Sequence, residues 1–308
     1  MRTNPWMEVS GLCLKRQGRE VLDSITFAAH GRALGVVGEN GAGKTSLIGC
    51  LLGLLRPHTG LIQALDFQLP EQHLELKTRT GVMLEDAGVF PGGSGLDTVV
   101  FAGLLCGMTR NEAVRRAHLV LDNLDVDEER FRETRTYSVG MRQRVKLAMS
   151  LVHEPSLLIL DEPTIGLDHQ GRRQFLRLIR KLRDQGVRLF FTTHILSDAE
   201  QICDELLLLS DGRVSHFGAV DSMVETSDKH YIAHLNGGSS RLAGALVDAG
   251  FGVKKVEENT VVFQVENRDA FHEFWKCVQK SEVEIRQLGP AIRSLETAVV
   301  EAMENQYG

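Results

Sequence analysis

The octapeptide Gly38-Glu39-Asn40-Gly41-Ala42-Gly43-Lys44-Thr45 constrains this chain more than any other feature, because it fits G-x-x-x-x-G-K-[ST] in full. It lies between a short apolar run, Ala33 to Val37, and a helical pattern, Thr45 to Leu55, that Pro57 stops. Glycines there let backbone N–H groups turn inward around phosphate oxygens without Cβ clashes. The helix that follows points the positive end of its dipole at the anion. In this setting Lys44 is expected to reach the β- and γ-phosphates and the Thr45 hydroxyl to ligate Mg²⁺. Residues Gly38, Glu39, Asn40, Gly41, Ala42, Gly43, Lys44, Thr45 and Ser46 form the candidate phosphate-binding segment. A glycine turn before an ordinary helix is the bland alternative, and the strand-loop-helix setting argues against it.

The second half of such a site is an apolar strand that ends in acid. Leu157-Leu158-Ile159-Leu160-Asp161-Glu162 supplies it. Asp161 is placed to hold Mg²⁺ directly or through water. Glu162, one residue on, is the candidate general base for a water attacking the γ-phosphate. A solvated acidic turn at a strand end is the competing reading, weakened by the glycine loop upstream.

The rest of the chain fits this frame. Strand-like runs alternate with helical ones over most of residues 1–220: residues 6–14 and 20–28 read as two strands around a polar turn, and Val187 to Thr192 and Leu206 to Leu209 as buried strands. Short buried strands between helices imply a largely parallel sheet flanked by helices. Helical periodicity dominates residues 97–153, in Glu112–Leu124 and Gly140–His153, which marks a helical insert of about 86–153 within a first domain of residues 1–222. Beyond a break around 222–230, candidate strands at 230–235, 252–256, 260–265 and 283–287 alternate with candidate helices at 239–249, 268–280 and 291–304. That order suggests a small α+β domain over residues 226–308.

Composition trims the function classes. The chain has 308 residues, and its 41 acidic against 35 basic side chains give a formal net charge of −6, so no nucleic acid is expected as a partner. Five cysteines are scattered without a C-x-x-C pair, which speaks against a disulfide framework or a zinc knuckle and for a reducing compartment. The first residues lack the apolar stretch of a signal peptide, and nowhere do 18 apolar residues run together. A membrane role would therefore need another chain for the spanning part.

Between the two phosphate motifs stands Tyr137-Ser138-Val139-Gly140-Met141-Arg142-Gln143-Arg144, followed by a helix. It resembles the L-S-G-G-Q signature of the ATP-binding cassette (ABC) family. His194 in Phe191-Thr192-Thr193-His194 is similar to that family's switch histidine, and Ile165-Gly166-Leu167-Asp168 to the loop that crosses its dimer seam. The resemblance spans roughly residues 6–218 and carries its motifs in the family's order. It implies a P-loop NTPase cassette of α/β class, with a mostly parallel core sheet, an antiparallel β subdomain and a helical insert. It further implies ATP and Mg²⁺ as cofactors and a head-to-tail dimer with a second copy of the chain. Ser138 and the Gly140 amide of one copy would then bind the γ-phosphate held by the other copy's Lys44, with Asp168 at the seam, Glu162 as catalytic base and His194 as a second catalytic candidate.

Three positions depart from the family pattern. Counting back from Pro91, Glu85 stands where the family has a glutamine, a candidate catalytic residue and magnesium ligand that adds negative charge near Glu162. Arg16 and Gln17 stand where an aromatic residue usually stacks on adenine; a guanidinium can stack on a base, which makes Arg16 a candidate. Val139 replaces a signature glycine. The Tyr-Ser-x-Gly-Met-Arg-Gln-Arg form, one cassette per chain and the C-terminal appendix resemble the ATPase subunits of multidrug, antibiotic and bacteriocin-immunity exporters. That branch implies a separate integral-membrane permease and a cytoplasmic location, peripheral on the inner face of the plasma membrane. The alternative is an ATP-dependent clamp or regulator outside transport; a third reading is a sensor in which Glu85 makes hydrolysis negligible.

Other signals read as packing. The basic run over residues 172–183 is expected to be one face of a surface helix. Cys50 is expected to pack rather than react. Phe271, Phe274 and Trp275 are expected in the core of the terminal domain.

Overall fold

The computed structural model describes residues 4–85, 88–89, 92–223, 226–265 and 270–292. The chain divides into two compact units, with the change at Val220–Asp221.

In the first unit the strands are β1 (Met7–Arg16), β2 (Arg19–Ala29), β3 (Ala33–Val37), β4 (Thr59–Ala64), β5 (Phe67–Leu69), β6 (Thr80–Met83), β7 (Leu157–Asp161), β8 (Arg188–Thr193), β9 (Glu205–Ser210) and β10 (Arg213–Ala219). Its helices are α1 (Lys44–Leu51), α2 (His73–Thr78), α3 (Gly95–Leu105), α4 (Arg110–Asn123), α5 (Val139–Leu151), α6 (His169–Asp184) and α7 (Leu196–Ile202). A single helical turn, α8 (Val220–Met223), spans the division.

A six-stranded sheet in the order β10-β9-β3-β8-β7-β6 forms the centre. Its inner members pair in parallel: β3 with β8 and β9, and β7 with β8 and β6. β3 and β7 are buried along their whole length, as central parallel strands covered on both faces must be; β3 is an unbroken apolar run and β7 is one up to its last residue, Asp161. A second, antiparallel sheet runs β2-β1-β4-β5. Its β1 alternates buried and exposed residues, because only one face meets the core. The two sheets share one core, in which Leu12, Leu22 and Ile25 of the antiparallel sheet lie with Leu34, Ile159 and Phe190 of the parallel one.

Boundaries moved where distant contacts decide them. The helix after the glycine loop ends at Leu51, not Leu55, because the N–H groups of Leu54 and Leu55 both turn back to the Gly49 carbonyl at 2.8 and 3.0 Å. In the helical insert, α3 opens at Gly95 with a reciprocal cap: the Ser94 hydroxyl accepts from the Asp97 N–H at 3.1 Å, and the Asp97 carboxylate accepts from the Ser94 N–H at 3.0 Å. Three of the six basic side chains of α6 are engaged within the chain. Arg172 pairs with Asp198, Arg180 donates to the Gln201 carbonyl at 2.7 Å and Arg183 to the Ile202 carbonyl at 2.7 Å.

The second unit runs β11 (Thr226–Leu235), α9 (Ser239–Asp248), β12 (Val253–Glu257), β13 (Thr260–Gln264), α10 (Ala270–Ser281) and β14 (Ile285–Ile292). Its sheet, ordered β12-β13-β11-β14, is antiparallel throughout. A β-α-β-β-α-β chain with that strand order is a split β-α-β layer. Phe263 and Phe274 stack in its core at 4.6 Å between ring centroids and 6° between planes. Trp275 departs from the expected core placement and stands 48% exposed, one residue round α10 from the buried Phe274. Of the expected helix at 291–304, Ala291 and Ile292 belong to β14, and the remainder lies outside the described residues.

Candidate functional site

The glycine loop joins the end of β3 to the start of α1, and its shape depends on glycine at two positions. A Cβ on Gly38 would lie 2.3 Å from the Leu209 carbonyl oxygen, so no side chain fits there. Gly43 has φ +107, and a Cβ there would meet Leu22 Cδ2 at 2.8 Å and the Val21 carbonyl at 3.0 Å. Gly43 is also the N-cap of α1 and offers the helix no capping side chain. The first intrahelical bond runs from the Leu47 N–H to the Gly43 carbonyl at 2.9 Å, so the amides ahead of it have no partner within the helix. Amides in this position are donors for an anion.

Lys44 folds back over the loop. Its Nζ donates to the Gly38 carbonyl at 2.6 Å and to the Glu39 carbonyl at 3.2 Å, and stands 3.5 Å from Glu162 Oε1. Lys44, Asp161 and Glu162 are 7%, 4% and 5% exposed, so they interact in a medium that screens charge poorly. Asp161 ends β7 and receives hydroxyl donors on both oxygens: Thr192 on Oδ1, and Thr45 on Oδ2 at 3.4 Å. Burial pushes the Asp161 carboxyl above its usual range, opposed chiefly by the Thr192 hydroxyl, while the neighbouring Glu162 charge adds to the rise.

Glu162 is held at φ +48, a left-handed conformation that costs a residue with a side chain about 1–3 kcal/mol. Its N–H donates to the Thr192 carbonyl at 3.1 Å. The bend turns the carboxylate toward Lys44 on one side and His194 on the other. His194 Nδ1 lies 2.9 Å from Glu162 Oε2, whereas Glu162 Oε1 is buried without a hydrogen-bond partner.

Lys44, Thr45, Asp161 and Glu162 line a hollow of about 250 Å³ with Val21, Glu39, Asn40, Gly41, Gly43, Ser46 and Glu85; His194 and Thr192 touch it only through Glu162 and Asp161. The donor set fits a magnesium-bound polyphosphate. Lys44 and the α1 amides suit anionic oxygens, and Thr45 Oγ1 and the Asp161 carboxylate supply hard oxygen ligands. Among the described residues no group of three or more His, Cys, Asp or Glu could hold a metal by itself. Mg²⁺ takes one or two protein ligands and completes its shell with phosphate and water, and Thr45 and Asp161 would supply the protein ligands.

Glu85 follows β6, exposed and on the wall of this hollow, where sequence spacing put it. Its main chain is pinned, since Lys146 Nζ donates to the Glu85 carbonyl at 2.8 Å. Ser138, Gly140 and Asp168 are not in this hollow. They line a second one with Val139, Gly166 and Leu167, where Ser138 caps α5 and Asp168 caps α6. Ser138 Oγ accepts from the Met141 N–H at 3.3 Å, and Asp168 Oδ1 from the Gly171 N–H at 2.7 Å. Val139 leans on the loop: its Cγ1 lies 3.3 Å from where a Cβ on Gly166 would stand. Arg16, exposed at the end of β1, is absent from the walls of both hollows.

Two contributors escaped the sequence reading. Thr192 precedes the noted His194 by two residues on β8, yet its hydroxyl serves Asp161. Asp198, fully buried, binds the Thr164 hydroxyl at 2.6 Å and the Arg172 Nε at 2.6 Å. A lone aspartate four residues past His194 on a short helix gives no spacing signal. Cys50 is buried on α1 and burial pushes its thiol up to about 11, which fits packing rather than redox chemistry.

The family model described as "ABC transporter" matches residues 22–165. An uncharacterised ABC transporter ATP-binding protein of Nostoc is 34% identical over 77% of this chain and 68% of its own length. The daunorubicin/doxorubicin resistance ATP-binding protein DrrA of Streptomyces peucetius is 33% identical over 82% of this chain and 78% of its own. Among solved structures, cbiO1 of Clostridium perfringens, part of the ABC transporter complex cbiONQ, has a TM-score of 0.65 at 25% identity. It covers 71% of this chain and 90% of its own.

Proposed function

The chain belongs to the ABC transporter family, as an ATP-binding subunit, and from that premise we propose that it hydrolyses ATP within a head-to-tail pair of identical copies to drive export through a separate membrane permease. One observation carries the reading. Lys44, Thr45, Asp161 and Glu162 converge on one hollow, whereas Ser138, Gly140 and Asp168 line another. A nucleotide held by the first set on one copy is completed by the second set on another. Among the described residues no helix is long and apolar enough to cross a membrane, so the spanning part falls to a different chain. The resistance role named for DrrA supports the export direction.

When bound, ATP with Mg²⁺ supplies a γ-phosphoryl group open to attack by water. Lys44 exchanges its loop carbonyls for phosphate oxygens, the stronger charge-assisted acceptors. Thr45 and Asp161 would hold the metal, and Glu85 lines the same hollow. Once Lys44 turns to the nucleotide, Glu162 is a buried carboxylate available to take a proton from water, and His194 keeps its other oxygen in place. Ser138 and the α5 N-terminus of the partner copy supply a hydroxyl and amides for the same γ-phosphate. Loss of that phosphate removes the shared anion and opens the seam, a population shift driven by differential contacts.

The test is sedimentation of the Glu162→Gln variant with Mg²⁺ and ATP, with ADP, and without nucleotide. The reading expects a dimer with ATP alone. A monomer in all three conditions, with ATP bound, would sink the shared-nucleotide dimer.

A further inference from the structure

Asp198 has no part in the two hollows, yet it is the most deeply engaged carboxylate near them. It sits on α7 at 0% exposure. Its Oδ2 accepts from the Thr164 hydroxyl at 2.6 Å, and its Oδ1 accepts from Arg172 Nε at 2.6 Å, with the Arg172 NH2 group at 2.5 Å from the same oxygen. Its backbone N–H donates to the Ile195 carbonyl at 3.0 Å. The same guanidinium reaches on to Ser197 Oγ at 3.3 Å.

Those contacts join three segments that do separate work in the proposed cycle. Thr164 stands two residues after Glu162, at the start of the turn that leads to Asp168. In that turn the Ile165 N–H returns to the Glu162 carbonyl at 3.2 Å and the Leu167 N–H to the Thr164 carbonyl at 3.2 Å. Arg172 lies in the first turn of α6, the helix that Asp168 caps. Ile195 adjoins His194. The buried carboxylate thus fastens α7, which follows His194 and is tied to Ile195 through its main chain, to the segment carrying Glu162 and the segment carrying Asp168. An unpaired charge at such depth would be costly, so Thr164 and Arg172 are held to it or the carboxylate is exposed.

We propose that Asp198 is a positioning residue that keeps the Glu162–His194 pair in register with the 164–168 loop, so that the base is correctly aimed only while that loop is seated. The inference rests on the proposed ATPase reading. Asp198 touches neither nucleotide pocket, and its loss acts through Glu162 and His194. It therefore lowers turnover without weakening the grip of Lys44 and Thr45 on nucleotide.

The experiment compares the full-length wild type with Asp198→Asn, Thr164→Val and Thr164→Ser. Phosphate release is paired with equilibrium binding of a fluorescent ATP analogue, and hydrogen exchange of residues 162–172 is followed in the nucleotide-free protein. Misplacement of a catalytic group by about 1 Å costs on the order of a hundredfold in rate. Asp198→Asn and Thr164→Val should therefore lose about ten- to a hundredfold in kcat with nucleotide affinity held within about twofold, and exchange should quicken over 164–168. Thr164→Ser, which keeps the hydroxyl, should restore both the rate and the protection. Equal losses of affinity and rate would overturn the proposal, as would unchanged exchange in the loop. Failure of the wild type itself to release phosphate would count against the ATPase reading, and the exchange arm would still decide whether Asp198 holds the loop.

Discussion

His194 Nδ1 and Glu162 Oε2 lie 2.9 Å apart, and the other oxygen of that carboxylate, without a hydrogen bond, stands 3.5 Å from Lys44. The Glu162 carboxylate is thus fixed by a half-exposed imidazole on one side and by the Lys44 ammonium on the other. Glu162→Gln keeps the size of the side chain and removes its basicity. It should bind ATP as the wild type does and lose about 10²–10⁴ in turnover. His194→Ala should lose less, since the carboxylate remains. Single-turnover phosphate release, beside nucleotide binding, separates the two steps.

Lys44 and Glu162 also depend on each other without nucleotide. Both are buried, and removing one partner leaves the other charge uncompensated. Lys44→Met should weaken nucleotide binding by about 1.5–3 kcal/mol, the worth of a charge-assisted contact, and should destabilise the nucleotide-free chain. Adding Glu162→Gln should recover part of that stability, with a coupling of about 0.5–3 kcal/mol in a double-mutant cycle. Additive effects in urea unfolding would show that the pair does not interact.

The hollow at the glycine loop was largely legible in sequence because its parts are local. Gly38 to Ser46 is one continuous loop and helix start, and Asp161 and Glu162 follow an apolar run. Their types and spacing suit an anion and a metal. The short buried strands were legible for a similar reason, since β3 is apolar throughout and β7 and β9 each carry four consecutive apolar residues. By contrast β6 is only Thr80-Gly81-Val82-Met83, and it becomes a strand by pairing in parallel with Leu157–Leu160 far along the chain. The exposed strand β4 shows little apolar pattern, and its place is set by β1. Asp198 was invisible because its meaning comes from Thr164 and Arg172, which only the folded chain brings to it.

At the head of the helical insert, Ser94 and Asp97 cap α3 reciprocally. The Ser94 hydroxyl, then its N–H, hold the Asp97 carboxyl below the usual carboxylate range. A carboxyl held low in the folded chain binds fewer protons there than in the unfolded chain. Its contribution is therefore present above the unfolded value of 3.8 and is lost as pH falls through the folded value. Ser94→Ala should cost about 1 kcal/mol at pH 7. Asp97→Asn should cost a similar amount at pH 7 and little at the acid end. Unfolding followed across pH would test the sign.

In the second unit Phe274 is wholly buried and stacked on Phe263. Phe274→Ala should remove about 3–5 kcal/mol from the stability of that layer. Limited proteolysis of the full chain should then cut first between residues 226 and 292, with ATP affinity unchanged. Phe271, half-buried and set edge-on to Tyr231 with centroids 4.7 Å apart, should cost less when truncated.

Glu85 adds a carboxylate to the hollow that Glu39, Asp161 and Glu162 also line. Against these stand Lys44 and the α1 amides. A polyphosphate without its cation meets that excess of negative charge directly, whereas a divalent ion placed between carboxylates and phosphate turns repulsion into bridging. Nucleotide binding should therefore depend strongly on metal. Glu85→Gln should raise affinity for ATP in EDTA by several-fold and reduce the gain on adding Mg²⁺, leaving the fold intact because the pinned group at this position is the main-chain carbonyl. Titrating a fluorescent nucleotide with and without Mg²⁺ reads the difference. An identical metal dependence in wild type and Glu85→Gln would remove Glu85 from the metal's surroundings.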